Sequence, residues 1–162
     1  MLSKCTTRFT PRFIRSALFS TYPHIMSDYP VTKPDSEWRA TLTPMQYKVL
    51  RNAATEPPNF DPEFDKKGLS PGVYKCVGCG NPLYKSSTKF NSHCGWPAFY
   101  QALPGSVTTK TDTSHGMERT EMNCSKCGGH LGHVFKGEGY ATPTDERHCV
   151  NGVILKFEPD TM

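Results

Sequence analysis

Four cysteines in two pairs constrain this chain more than any other feature: Cys76-Val-Gly-Cys79-Gly80 and Cys124-Ser-Lys-Cys127-Gly128. Each Cys-x-x-Cys puts two sulfurs on one tight turn, and the glycine after it permits the left-handed backbone that such a turn commonly needs. Four thiolates suit a tetrahedral Zn²⁺ with Zn–S bonds of roughly 2.3 Å. The 44 residues between the pairs exceed the gap of a compact zinc ribbon, so the metal is expected to tie two distant hairpins together. With sulfur in every position, no coordination site is left for water or substrate, and the role is structural. A redox-active dithiol is the competing reading, but that motif opens a helix after a strand, a context missing here.

A staple of this kind fits the composition. Of 162 residues 36% are hydrophobic, and 13 Gly and 14 Pro break the chain into short pieces. The apolar core is thin for the length, which favours a metal or disulfides. Short apolar runs at Val73-Tyr74, Leu83-Tyr84, Val107 and Val134-Phe135, punctuated by turn formers, read as antiparallel strands. Residues 149–157 alternate, with Val153, Leu155 and Phe157 on one face and Ile154 and Lys156 on the other, and read as one more strand. Thr43-Pro44 opens a helix, Met45, Val49, Leu50 and Ala53 give its apolar face through residue 54, and Thr55-Glu-Pro-Pro58 stops it. The expected fold is a small, mostly-β domain of antiparallel sheet with one or two N-terminal helices, stapled by the four-cysteine site.

The formal charge of +4 does not indicate a nucleic-acid surface. Residues 1–26 hold Lys4, Arg8, Arg12 and Arg15 and no acid, and removing those four leaves 15 basic residues against 15 acidic ones. A neutral body has no phosphate-binding excess. The leader lacks a long apolar region, and its arginines share one helical face, as in a mitochondrial transit peptide. Met26 could start a second, cytoplasmic form. Residues 27–37 read as a linker and 38–158 as the domain. No apolar run approaches the roughly 18–20 residues that span a bilayer, so no membrane partner is expected.

Seven cysteines without a secretory signal point to thiols that work or bind metal. Cys5 lies in the leader, and two remain outside the pairs. Cys149 sits in Arg147-His148-Cys149-Val150-Asn151, where an extended chain puts Arg147, Cys149 and Asn151 on one face. A guanidinium beside a thiol favours the thiolate, the species that attacks; a core cysteine is the alternative. Cys94 lies in His93-Cys94-Gly95-Trp96-Pro97-Ala98-Phe99, a rigid loop presenting an indole suited to a polarised S-methyl group or to the core. His130 and His133 are candidate proton donors, and on a strand they share a site only if Gly132 bends the chain.

Taken together, these segments resemble the methionine-R-sulfoxide reductase family. The matching stretches are 72–84, 90–99, Arg119-Thr-Glu121, 124–139 and 147–151, in one order across residues 38–157. The resemblance implies structural zinc on Cys76, Cys79, Cys124 and Cys127, the nucleophile at Cys149 and the resolving cysteine at Cys94. It implies a methyl-binding indole at Trp96 with Phe99 beside it, active-site histidines at His130 and His133, and supporting roles for Arg147 and Asn151. His148 stands where several relatives carry Tyr. The implied activity is reduction of the R epimer of methionine sulfoxide, mainly in oxidised proteins, through a Cys149 sulfenic acid and a Cys94–Cys149 disulfide recycled by thioredoxin. Such a protein-repair enzyme of oxidative stress is expected to act as a monomer. A zinc-ribbon binding module and a redox-regulated zinc protein are the readings from other classes.

Overall fold

The computed structural model describes residues 29–60 and 70–161. The leader, Cys5, Met26 and part of the 27–37 stretch lie outside the described residues. Among the described residues two helices precede the strands. α1 (Asp35–Thr41) begins inside the polar stretch; Asp35 and Glu37 in its first turn and Arg39 in its last complement the helix dipole. α1 exists because Trp38 anchors it: the indole is buried, with the Arg51 guanidinium 4.9 Å from its ring centre.

α2 (Pro44–Asn52) starts as its sequence dictates. The Thr43 hydroxyl accepts from the Gln46 N–H, the Gln46 side chain accepts from the Thr43 N–H, and Pro44 occupies the first turn. The helix ends at Asn52, two residues before the expected point, because Ala53 turns left-handed (φ 52°). Val49 and Leu50 are buried and Ala53 is exposed.

Among the described residues nine strands form two antiparallel sheets. The smaller has the order β2-β1-β9, from β1 (Gly72–Cys76), β2 (Pro82–Lys85) and β9 (Leu155–Pro159). The larger has the order β3-β4-β8-β7-β6-β5, from β3 (Lys89–Phe90), β4 (Ala98–Phe99), β5 (Val107–Asp112), β6 (Arg119–Cys124), β7 (His130–Lys136) and β8 (Glu146–Val150). The core lies between them: Tyr84 stacks on Phe99 at 4.3 Å, Tyr74 meets Phe99 edge-on at 5.1 Å, and the Tyr84 hydroxyl donates to the Met122 sulfur at 3.7 Å. All four side chains are fully buried. Truncating any of the aromatic three would cost about 3–5 kcal/mol. No helix among the described residues is long and apolar enough to cross a membrane.

The 149–157 stretch is not one strand. β8 ends at Val150, a 3₁₀ turn (Gly152–Ile154) follows, and β9 belongs to the other sheet. The cause is a buried carboxylate far away in sequence: Glu56 accepts from the N–H of Gly152 at 2.5 Å and of Val153 at 2.8 Å. Those bonds turn the chain, and both Ile154 and Leu155 point into the core despite their alternation.

Candidate active site and four-cysteine centre

The sulfurs of Cys76, Cys79, Cys124 and Cys127 all lie within 4.8 Å of one another. Cys76 and Cys127 are 3.8 Å apart and Cys79 and Cys124 are 3.6 Å apart. Four sulfurs around one ion at roughly 2.3 Å would stand about 3.8 Å from each other, so this cluster could hold a metal ion. The local turns are those the glycines allow: Gly80 N–H donates to Cys76 O and Gly128 N–H to Cys124 O, each at 2.8 Å, with φ of 70° and 68°. One pair belongs to the β1–β2 hairpin of the small sheet and the other to the β6–β7 hairpin of the large one. The expected tie between distant hairpins therefore joins the two sheets. Asn81 Nδ2 donates to the Cys124 sulfur at 3.5 Å, and Arg51 donates to the Cys127 carbonyl at 3.0 Å.

A second pair of sulfurs meets elsewhere. Cys149 on β8 and Cys94 in the loop after β3 are unbridged thiols 3.8 Å apart. Their loop is held from several sides. His93 takes a left-handed φ of 56°, and its N–H donates to Asn91. Asn59 N–H donates to Gly95 O at 2.7 Å, Trp96 Nε1–H to Glu56 O at 3.0 Å, and Val150 N–H to Pro97 O at 2.9 Å.

The two thiols are coupled through their contact. Cys94 is pulled down to about 5, first by its hydrogen bond with Cys149, then, against burial, by the Ser92 hydroxyl 3.0 Å away and the Trp96 main chain. Cys149 is pushed up, first by that same bond to Cys94 and next by burial, and Arg147 only opposes the rise. Either sulfur can be the donor across the 3.8 Å contact, and it is the first cause of both shifts, so the two thiols titrate together. The sequence placed Arg147 beside Cys149, where it does lower the thiol, but could not place Cys94 against it. Arg147 is itself clamped by Glu138 at 2.6 and 2.7 Å and lies over the Phe135 ring at 4.4 Å.

A cavity of about 140 Å³ opens over Cys149, and Trp96, Arg119, His133, Phe135 and Asn151 form its wall. That space equals about five waters at ~30 Å³ each, room for a side chain of five heavy atoms. Asn151 is fixed at both ends: its Oδ1 accepts from Glu56 N–H at 2.9 Å and its Nδ2 donates to Leu131 O at 3.0 Å.

The histidines do meet, and Gly132 is the reason. Their rings are 5.5 Å apart, beside a register shift between Met122 and Asn123 on the neighbouring β6. Gly132 takes φ 153°, and a Cβ there would stand 2.0 Å from the Cys149 carbonyl oxygen. Only His133 reaches the cavity, and it pairs with Cys149 across β7 and β8. His130 is buried behind it, with Nδ1 2.8 Å from Glu121, and burial lowers its pKa against the pull of that carboxylate.

Phe99 is not at the cavity. It pairs with His148 and packs in the core against Tyr84, which also reaches His148 Nδ1 at 3.2 Å, so it faces away from its neighbour's partner Cys149. Phe135 supplies the second aromatic wall instead. Sequence reasoning missed Glu56, Ser92, Asp112, Arg119 and Glu138 as supporting groups. Arg119 lay in a stretch already matched to the family, and Glu56 was the one acid in the helix stop.

A SelR domain family model matches residues 42–159. Peptide methionine sulfoxide reductase B3 of Arabidopsis thaliana is 60% identical over 131 residues, covering 80% of this chain and 71% of that protein. Peptide methionine sulfoxide reductase B2, chloroplastic, of Arabidopsis thaliana is 56% identical over 130 residues, with 80% and 62% covered. Peptide methionine sulfoxide reductase B5 of Oryza sativa subsp. japonica is 56% identical over 127 residues, with 78% and 90% covered. The chain thus spans less than two thirds of the second relative and most of the third.

Proposed function

The chain belongs to the SelR-domain family of peptide methionine sulfoxide reductases B, and from that premise we propose that it reduces the R epimer of methionine sulfoxide in oxidised proteins, with Cys149 as nucleophile. The observation that carries the reading is the Cys94–Cys149 sulfur pair beside a cavity walled by Trp96 and His133. The two alternatives, a zinc-ribbon binding module and a redox-regulated zinc protein, leave that pair without a task.

The chemistry follows from the coupled thiols. The sulfoxide methyl group rests on the Trp96 face, where soft sulfur-bearing groups are attracted. As the Cys149 sulfur attacks, its proton passes to Cys94, and the sulfoxide oxygen takes a proton from His133. The oxygen, keeping that proton, forms a bond to the Cys149 sulfur as the substrate S–O bond breaks, so methionine leaves and Cys149 is left as a sulfenic acid; the substrate sulfur gains the two electrons that Cys149 loses. Cys94 then displaces hydroxide, which leaves as water, and the Cys94–Cys149 disulfide forms. A thioredoxin-type dithiol returns both thiols by exchange.

The four-cysteine cluster would hold one Zn²⁺, which supplies folding free energy and takes no part in the chemistry. Residues 1–26 would direct the chain to the mitochondrion, with a cytoplasmic form from Met26, and the working unit would be a monomer. The test is turnover of separated sulfoxide epimers with a small dithiol, wild type against Cys149→Ser. The R epimer should be consumed only by wild type; R turnover that survives the substitution, or preference for the S epimer, contradicts the proposal.

A further inference from the structure

β5 is the outer strand of the large sheet, and its last residue, Asp112, reaches the candidate active site from outside the segments that carry the cysteines. One carboxylate oxygen of Asp112 lies 2.7 Å from His133 Nε2 and 2.8 Å from the Arg119 guanidinium. Its other oxygen accepts from the Ser114 N–H at 2.9 Å. Arg119, a cavity-wall residue, also donates to the Ser114 hydroxyl at 3.2 Å.

Ionised carboxylates only accept hydrogen bonds. Asp112 is ionised: its carboxyl is held well below the usual carboxylate range by the Ser114 hydroxyl, then the Ser114 N–H, then His133. The Nε2 of His133 must therefore carry a hydrogen. Other groups around this imidazole are Cys149 opposite on β8, Glu121 opposite on β6 and the His130 ring. Glu121 is occupied by His130, Asn123 and Lys110, so Asp112 is the carboxylate bonded to the His133 ring.

We propose that Asp112, itself locked by Arg119, is the positioning residue for His133, fixing Nε2–H so that Nδ1 is the ring atom that gives its proton to the substrate oxygen. The inference rests on the proposed role of His133 in sulfoxide reduction. The logic is that of a base oriented by a third group: a carboxylate sets tautomer and orientation and steadies the imidazolium, while the proton transfers at the other nitrogen. Arg119 stops the carboxylate from rotating away, and by donating to the shared oxygen it keeps an acceptor atom facing His133.

Long-range ¹H–¹⁵N NMR of the His133 ring in the full, reduced chain tests this directly, at a pH high enough to leave the ring neutral. The expected wild-type spectrum is a protonated Nε2 and a bare Nδ1; a predominant Nδ1–H form overturns the inference. Asp112→Ala should mix the tautomers and slow single-turnover methionine release about tenfold or more, as a part of the roughly 10²–10⁴-fold that general acids contribute. The half-saturating sulfoxide concentration should change much less. Asp112→Asn, whose oxygen Arg119 would hold toward His133, should fall between wild type and Asp112→Ala. A folded Asp112→Ala protein with the wild-type single-turnover rate overturns the inference. Failure of the proposed function would register instead as R-epimer turnover by Cys149→Ser, whatever the tautomer of His133.

Discussion

Gly132→Ala is the substitution whose cost follows most directly from the backbone. The added Cβ would stand 2.0 Å from the Cys149 carbonyl oxygen, 3.0 Å from its carbon and 3.2 Å from Val150 Cα. All three atoms are main chain, so no side chain can swing aside, and β7 and β8 must part by more than an ångström where His133 faces Cys149. Forcing extra volume into a packed site costs about 1–3 kcal/mol. The φ of 153° would cost an L residue about 1–2 kcal/mol more. For a domain of about 130 residues, each kcal/mol lowers Tm by about 4 °C, so a fall of roughly 8–20 °C is expected. Single-turnover reduction should fall with it, because the displaced strands carry nucleophile and proton donor. Thermal melting by circular dichroism, together with methionine release from one equivalent of sulfoxide, measures both. A variant within about 3 °C of wild type that keeps its single-turnover rate would refute this reasoning about strand approach.

Cys94→Ser should still complete one turnover, or cycle with a small thiol, and lose thioredoxin-supported cycling; unimpaired cycling would assign resolution to another cysteine. That substitution also removes the first cause of the rise at Cys149, so the pH at which Cys149 is alkylated should move down, and adding Arg147→Met should move it back up. Because Cys94 is pulled down to about 5 and Cys149 pushed up, limited alkylation near neutral pH should label Cys94 before Cys149; the reverse order would contradict those opposite shifts. Chelation under reducing conditions should lower Tm sharply, since the cluster joins a hairpin of each sheet; an unchanged melting curve would argue against a bound metal.

Features set by local chemistry were legible in the sequence. The two cysteine turns follow from Cys-x-x-Cys-Gly, and the start of α2 from Thr43-Pro44. Features set by distant partners were not. The break between β8 and β9 depends on the Glu56 carboxylate, 96 residues before Gly152. Phe99 and Cys149 point to opposite sides because of the register between β4 and β8, which alternation within a two-residue strand cannot reveal. Arg147 lowers the Cys149 thiol as its place in the sequence suggests, but the larger influence, Cys94, comes from across a loop that the sequence does not place. α1 was hidden because one buried Trp38 anchors an otherwise polar segment.

The most direct measurement is sulfenic-acid trapping on the Cys94→Ser protein after one equivalent of R-sulfoxide, read by mass spectrometry of the Cys149 peptide. One oxygen captured on Cys149, in step with the methionine released, is the expected result. Methionine released while Cys149 stays unlabelled would contradict the central claim.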